Sequence, residues 1–343
     1  MYSKYRDFAV EKAVELLSID SPSGYTARAA EYIKAEFEKL GFDAFTTVKG
    51  GVAVDLGGKD KSNALLLEAH TDTLGGMVCE IKSSGRLKLT KIGGLNACNI
   101  EAENCRVVTR KSGIYTGCFQ LINPSLHVNG DYSDTKRSFD TCEVVLDEDV
   151  RSQDDVKKLG ISVGDIVCFD PRTVITESGY IKSRFLDDKL SVGIIFGFAK
   201  YLKDSNITPA RRIYAHFTVY EEVGHGASAL PFDGITEMIS VDMGCVGDGV
   251  QCTERQVSIC AKDSGGPYCY ETVNRLIEAA EKTGADYAVD VYPFYGSDVE
   301  ASLRAGYDAR HGLIGAGVYA SHGYERSHID GVENSIRLLT GLL

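Results

Sequence analysis

The 343-residue chain has no tryptophan, no Cys-x-x-Cys pair, no apolar run of membrane-spanning length and no surplus of positive charge. Each gap disfavours a class of function. Without indole rings a sugar-stacking cleft is disfavoured. The ten cysteines are spread from Cys79 to Cys269 with no zinc-knuckle spacing, which argues for reduced thiols rather than a disulfide framework or a cysteine-based structural metal site. The longest uncharged apolar stretches, such as Leu190 to Ala199, fall far short of the ~20 residues that a bilayer requires, so no membrane partner is expected. Lys4, Arg6, Asp7 and Glu11 put charge where a signal peptide would have its apolar segment, and a cytoplasmic location is the expectation. With 37 Lys+Arg against 49 Asp+Glu the net charge is -12, so a nucleic-acid partner, which needs a basic face, is not expected. P-loop, G-x-S-x-G and H-E-x-x-H signatures are missing too.

What the chain does contain is a globular share of apolar residues, 43%, arranged with two textures. Phe8, Ala9, Ala13, Val14 and Leu17 share one helical face, and Thr26 to Leu40 is a second helical pattern stopped by Gly41. Asn63 to Ala69 reads as a fully buried strand ending at His70. From Thr73 to Thr176 Gly-bounded runs rich in Val, Ile and Thr replace helical periodicity, as in Cys105 to Thr109 and Gly164 to Phe169. After Asp187 helix and strand alternate again: Leu190 to Leu202, Arg212 to Tyr220, Ile239 to Val241, Glu271 to Lys282, Tyr287 to Tyr292, Leu313 to Val318 and Val332 to Leu343. The expected fold is therefore α/β, a mixed central sheet covered by helices and formed by residues 1–72 and 177–343, with an all-β domain inserted at 73–176.

Acidic and histidine residues fall where such sheets bind ligands, beyond the carboxyl ends of strands. His70-Thr-Asp72, Glu221-Glu222, Asp242 and Ser321-His322 each follow a strand, and Asp187-Asp188 opens an apolar helix. Taken singly, these are ordinary features: a His-x-Asp is commonly a satisfied turn, an Asp at a helix start a cap, and a Glu pair a solvated loop. Their coincidence at one end of one sheet points to a metal site, which the resemblance below makes a dinuclear one. Gly224-His-Gly226-Ala-Ser-Ala229 fits a loose dinucleotide fingerprint, but Glu221 and Glu222 beside it would repel a pyrophosphate. The adjacent glutamates are also a poor glycosidase pair, because such carboxylates flank a sugar bond about 5–9.5 Å apart.

Ala69-His70-Thr71-Asp72, Leu186-Asp187-Asp188-Lys189, Val219-Tyr-Glu221-Glu222-Val-Gly224, Ser240-Val-Asp242, Ser21-Pro-Ser-Gly24 and Gly296-Ser-Asp298 occur in an order that resembles the cytosolic metallo-aminopeptidases of the glutamyl and tetrahedral aminopeptidase type, some of which are also labelled endoglucanases. The resemblance runs nearly end to end and implies a zinc-peptidase-like catalytic domain. It implies a water-activating pair of divalent ions, zinc first with cobalt or manganese as alternatives. Asp187 would bridge them, His70 and Asp242 completing one ion and Glu222 and His322 the other. Glu221 would be the general base, and Asp72 would orient the His70 imidazole. Lys189 stands where the family has arginine, Ser191 where it has glycine, and Ser321-His322-Gly-Tyr-Glu325-Arg-Ser-His328 replaces H-S/T-P-x-E, so the last ligand is His322 or His328. Expected partners are peptide substrates and further copies of the chain, in a dimer-based assembly up to a dodecamer built by the β insert. The alternatives are a metal-dependent deacylase of N-acyl amino acids and an inert metal-bound scaffold, which would have no use for a free Glu221.

Overall fold

The computed structural model describes residues 2–343 and separates into two compact units. One is formed by the chain up to Asp72 together with Arg172–Leu343, the other by Thr73–Pro171. The first opens with helices α1 (Ser3–Leu17) and α2 (Ala27–Lys39) and strands β1 (Asp43–Thr46), β2 (Val52–Gly57) and β3 (Asp60–His70). The second contains β4 (Gly75–Ile81), β5 (Leu87–Ile92), β6 (Glu103–Val108), β7 (Ile114–Leu121), β8 (Cys142–Leu146), the short helix α3 (Gln153–Lys158) and β9 (Ile166–Phe169). The chain then returns through β10 (Val174–Ile175), β11 (Tyr180–Ser183), the long helix α4 (Leu186–Ser205), β12 (Arg211–Thr218), β13 (Ile235–Val241), β14 (Gly244–Val246) and β15 (Val257–Lys262). It closes with α5 (Tyr270–Thr283), β16 (Tyr287–Val291), α6 (Asp298–Arg304), β17 (Arg310–Tyr319), β18 (Glu325–His328) and α7 (Ile329–Gly341).

The larger unit is built on a twelve-stranded mixed sheet in the order β1-β2-β12-β3-β13-β17-β18-β11-β10, with β14 and β15 also paired to β17 and β16 to β15. Its centre, β12-β3-β13-β17, is parallel. The unbroken Ala64-Leu65-Leu66-Leu67 run suits β3 to that place, since a central parallel strand is covered on both faces. Register levels the ends of β12, β3 and β13, with Thr218 opposite His70 and Ser240 opposite Glu68, while β17, whose Ile314 lies opposite Val241, runs on to Tyr319. Residues just beyond the ends of β12, β3 and β13 therefore meet at one edge, and the loop after β17 returns His322 to it.

Alternation along the strands separates two faces. Phe217 of β12 points to α2 and α4, where Phe37 stacks on Phe196 with centroids 4.3 Å apart and lies 5.2 Å from Phe217. His216, Thr218, Glu68 and Ser240 point the other way, under α6, whose Val299 N–H donates to Ser240 Oγ at 3.4 Å. In the smaller unit β4-β5-β8-β7-β6-β9 close into a barrel filled by its own residues, Val78, Leu89, Val107, Phe119, Val144 and Val167. The chain leaves this unit earlier than its β-rich texture suggests, because Val174–Ile175 pairs with β11 and so extends the large sheet. All ten cysteines are free.

Helices α1 and α4 approach closely because α4 has glycine at two positions one turn apart. A Cβ at Gly193 would lie 2.5 Å from the Ala9 carbonyl and 2.9 Å from Ala13 Cβ, and one at Gly197 2.8 Å from the Tyr5 carbonyl. Replacing Gly193 by Val should accordingly cost about 1–3 kcal/mol through overpacking. Denaturant unfolding checks this, and an unchanged midpoint would contradict the close approach.

Candidate metal centre

His70 is the last residue of β3 and is 1% exposed. Its Nδ1 lies 2.9 Å from the Asp72 carbonyl, which can only accept, so Nδ1 carries a proton. Nε2 faces Asp187 Oδ1 at 3.0 Å. A second proton on Nε2 or a shared cation is required there, since a lone pair and a carboxylate otherwise confront each other. Glu221 Oε2 is 3.7 Å from the same Nε2. On the other side of Asp187, His322 Nε2 stands 3.5 Å from Oδ2 and 3.8 Å from Glu222 Oε2. Among the described residues, two groups offer ligand atoms within 4.8 Å of one another: His70, Asp187 and Glu222, and His70, Asp188 and Asp242. Asp187, Glu221, Glu222, Asp242 and His322 line a cleft of about 650 Å³ whose further walls include Met243, Tyr295 and Arg304.

Local structure explains how each side chain arrives. Asp187 and Asp188, joined by a cis peptide bond, precede the regular part of α4. Glu221 and Glu222 form a single helical turn after β12. Asp242 is held by its N–H to the Ile314 carbonyl at 2.9 Å, and His322 occupies a left-handed backbone position after β17. A buried carboxylate that the strand-end pattern did not single out, Glu325, accepts from the Asp187 N–H at 3.1 Å and the His322 N–H at 2.9 Å, tying the start of α4 to the loop after β17. Asp188, beside Asp187 at the helix start, turns its Oδ2 to the His70 N–H at 3.1 Å.

The fold adds two details to the sequence reading. The Asp72 carboxylate is 3.6 Å from His70 Nδ1, beyond hydrogen-bond range, and it is the Asp72 carbonyl that orients the ring. The carboxylate instead accepts from Ser23 Oγ at 2.5 Å and from the Glu221 N–H at 3.1 Å, so it holds the glutamate turn. The two candidate histidines also separate. His328 caps α7, its Nδ1 accepting from the Asp330 N–H at 3.0 Å, while its Nε2 donates to the Ser178 carbonyl at 2.8 Å.

Burial governs the protonation of the cluster. It pushes Glu221 and Glu222 well above the ordinary carboxylate range and Asp242 up to about 7, with the neighbouring Asp187 charge adding to the last. Asp187 alone is lowered: burial opposes its charge, and the contacts from His322 and His70 overcome that. His70 is correspondingly raised, burial working against it and the surrounding carboxylates for it. The donor set is thus rich in carboxylate and poor in cation, and it fits divalent ions that take mixed imidazole and carboxylate ligands.

This arrangement can be set against known proteins. Residues 50–338 match the M42 glutamyl aminopeptidase family. The chain belongs to that family. It is an aminopeptidase, a hydrolase of peptide bonds. The candidate aminopeptidase YhfE of Bacillus subtilis (strain 168) is 41% identical over 96% of this chain and 95% of its own length. Among solved structures, an aminopeptidase from the archaeon Desulfurococcus kamchatkensis superposes with a TM-score of 0.88 at 22% identity, covering 98% of this chain and 94% of that one. The Pyrococcus horikoshii TET1 peptidase gives 0.84 at 24% identity, covering 97% and 98%.

For this aminopeptidase the geometry separates the roles of the two histidines experimentally. His322→Ala should lose one bound ion and nearly all turnover. His328→Ala should keep its metal and instead lose about 0.5–2 kcal/mol of stability with the α7 cap. Metal titration and denaturant unfolding of both variants check this, and full metal retention by His322→Ala would contradict it.

Proposed function

We propose that this aminopeptidase removes N-terminal residues from peptides at a site for two divalent ions, zinc first, held by His70, Asp187, Glu222, Asp242 and His322 with Asp187 between them. The observation that carries the reading is the approach of His70 Nε2 to Asp187 Oδ1, 3.0 Å apart, with Nδ1 already committed to a carbonyl. Asp187, Glu222 and Asp242 together bring three negative charges, so two divalent ions would leave a positive surplus suited to a developing oxyanion. Bound there, the ions would polarise the scissile carbonyl and make a water acidic enough to surrender its proton near neutral pH.

Glu221 is not needed as a ligand, and its carboxylate borders the cleft beside His70. It takes the proton from the attacking water at Oε2 and returns it to the leaving amine. Asp72 keeps that carboxylate in place by gripping the Glu221 backbone, and the Asp72 carbonyl keeps the His70 ring turned toward Asp187. Glu325 fixes Asp187 and His322 relative to each other through their backbone N–H groups.

The assembly belongs to the same proposal. The Pyrococcus horikoshii TET1 peptidase can assemble into a tetrahedron or a large octahedral shell. That likeness supports a homo-oligomer here, dimer-based and up to a dodecamer, with the barrel unit as its contact module. Exposed Ile122, Leu126 and Val128 on that unit are apolar surface of the kind an interface covers. A cytoplasmic location fits ten free thiols and a chain whose described helices include none long and apolar enough to cross a membrane.

Chelation followed by separate reloading with zinc, cobalt or manganese, assayed on free and N-acetylated aminoacyl substrates, tests the reading. Activity should vanish without metal, return on reloading and require the free amine. Cleavage confined to the N-acetylated series would indicate a deacylase, and full activity without metal would remove the mechanism. Glu221→Gln should lower turnover by roughly 10²-fold or more with bound metal near the wild-type level; loss of metal in that variant would make Glu221 a ligand instead.

A further inference from the structure

The segment that carries Glu221 and Glu222 forms a single helical turn and then runs on through Gly224 and His225 at the surface. On one side it is tied to the body of the protein by the Ala227 N–H, which donates to Asp298 Oδ1 at 2.8 Å, and by Ser302 Oγ, which donates to the Ala227 carbonyl at 2.8 Å. On the opposite side stands Lys49, from the tip of the β1–β2 hairpin. Its ammonium group donates to the His225 carbonyl, to the Gly226 carbonyl at 2.7 Å and to Ser228 Oγ at 3.1 Å, which uses all three of its protons.

The sequence Lys49-Gly50-Gly51 makes this reach possible. The tip closes through the Thr47 N–H to the Gly51 carbonyl at 2.8 Å, and Gly50 adopts φ +97°. Gly51 lies so near the end of β12 that a Cβ would sit 2.5 Å from the Phe217 carbonyl. The hairpin tip is thereby laid against the strand that feeds the glutamate turn.

We propose that Lys49 is a positioning residue for Glu221 and Glu222, clamping the loop that follows them against Asp298. The clamp follows from peptide geometry. In a trans peptide the C=O and N–H point in opposite directions. Drawing the Gly226 carbonyl to Lys49 therefore turns the N–H of the same peptide group, that of Ala227, toward Asp298. A loop held on one side only could rotate about its backbone and carry both glutamates with it. A guanidinium at this place has a planar fork rather than three divergent donors and cannot meet the same three acceptors.

The proposal rests on the assignment of Glu221 as base and Glu222 as ligand. Its test compares wild type, Lys49→Met, Lys49→Arg and Ser228→Ala in two ways: steady-state kinetics on an aminoacyl chromogenic substrate at saturating zinc, and amide hydrogen exchange of the metal-free proteins. Lys49→Met should lower kcat about tenfold or more with KM within about threefold, and Lys49→Arg should fall between it and wild type. In the metal-free proteins, exchange over 221–229 should speed up about tenfold in Lys49→Met and less in Ser228→Ala, with α1 and α4 unchanged. Wild-type kcat or unchanged exchange in Lys49→Met would overturn the proposal, as would acceleration spread over the whole chain. Should Lys49→Met fail to fold, wild-type exchange in Ser228→Ala would overturn it. If the wild-type protein cleaved no aminoacyl substrate with any metal, the proposed function would fail, and the exchange comparison alone would decide the role of Lys49.

Discussion

Five carboxyl groups, those of Asp187, Asp188, Glu221, Glu222 and Asp242, are crowded at the carboxyl edge of the parallel centre of one mixed sheet with imidazoles beside them. The opposite end of the same sheet shows how a protein ordinarily settles a buried carboxylate. There Glu237, fully buried, pairs with Arg211 and Arg275 and accepts from the Thr272 hydroxyl at 2.7 Å. Those contacts outweigh the effect of burial, and Glu237 stays below the usual carboxylate range. At the carboxyl edge burial prevails, and Asp242 rises to about 7. Desolvating several neighbouring carboxylates is costly unless positive charge is supplied among them, which is the physical case for divalent ions.

The rest of the larger unit can be understood as holding that unfavourable cluster in shape. Level register in β12, β3 and β13 brings their ends together, and the loop after β17 adds His322. Peptide N–H groups and further carboxylates then fix the backbone on which the cluster is mounted: Glu325 holds Asp187 and His322, Asp72 holds Glu221, and Asp188 holds His70. Lys49 belongs to the same outer layer, reaching the loop from the far side. Each of these contacts joins different elements of the larger unit, so the geometry of the cleft depends on the sheet being complete. The surrounding carboxylates push His70 toward its protonated form against the effect of burial.

Much of this was legible in the linear chain because it depends on local signals. A buried apolar run ending in His70-Thr-Asp72, a strand leading to Glu221-Glu222 and Asp242 directly after another each carry their position in the neighbouring residues. What escaped was set by contacts between segments far apart in sequence. Glu325 reaches a backbone N–H 138 residues away and Asp188 one 118 residues away, and the motifs that contain them carry no sign of these contacts. Spacing places Asp72 beside His70, but only the fold shows that its carbonyl meets the ring while its carboxylate is turned to Ser23 and Glu221. His328 follows the opposite course, since its place before Ile329-Asp330 is a helix start that the α7 pattern already contained. Likewise, the Val and Thr content of 173–176 resembles that of the barrel, and nothing local reveals that these residues pair with β11.

The central claim is that the acidic edge is built to hold two divalent ions about Asp187. Anomalous diffraction from crystals of the metal-loaded protein, recorded at the absorption edge of the bound metal, addresses it most directly. The account predicts two peaks flanking the Asp187 carboxylate, one toward His70 and Asp242 and the other toward Glu222 and His322. A single peak, or full occupancy at a place that leaves Asp187 uncoordinated, would contradict it.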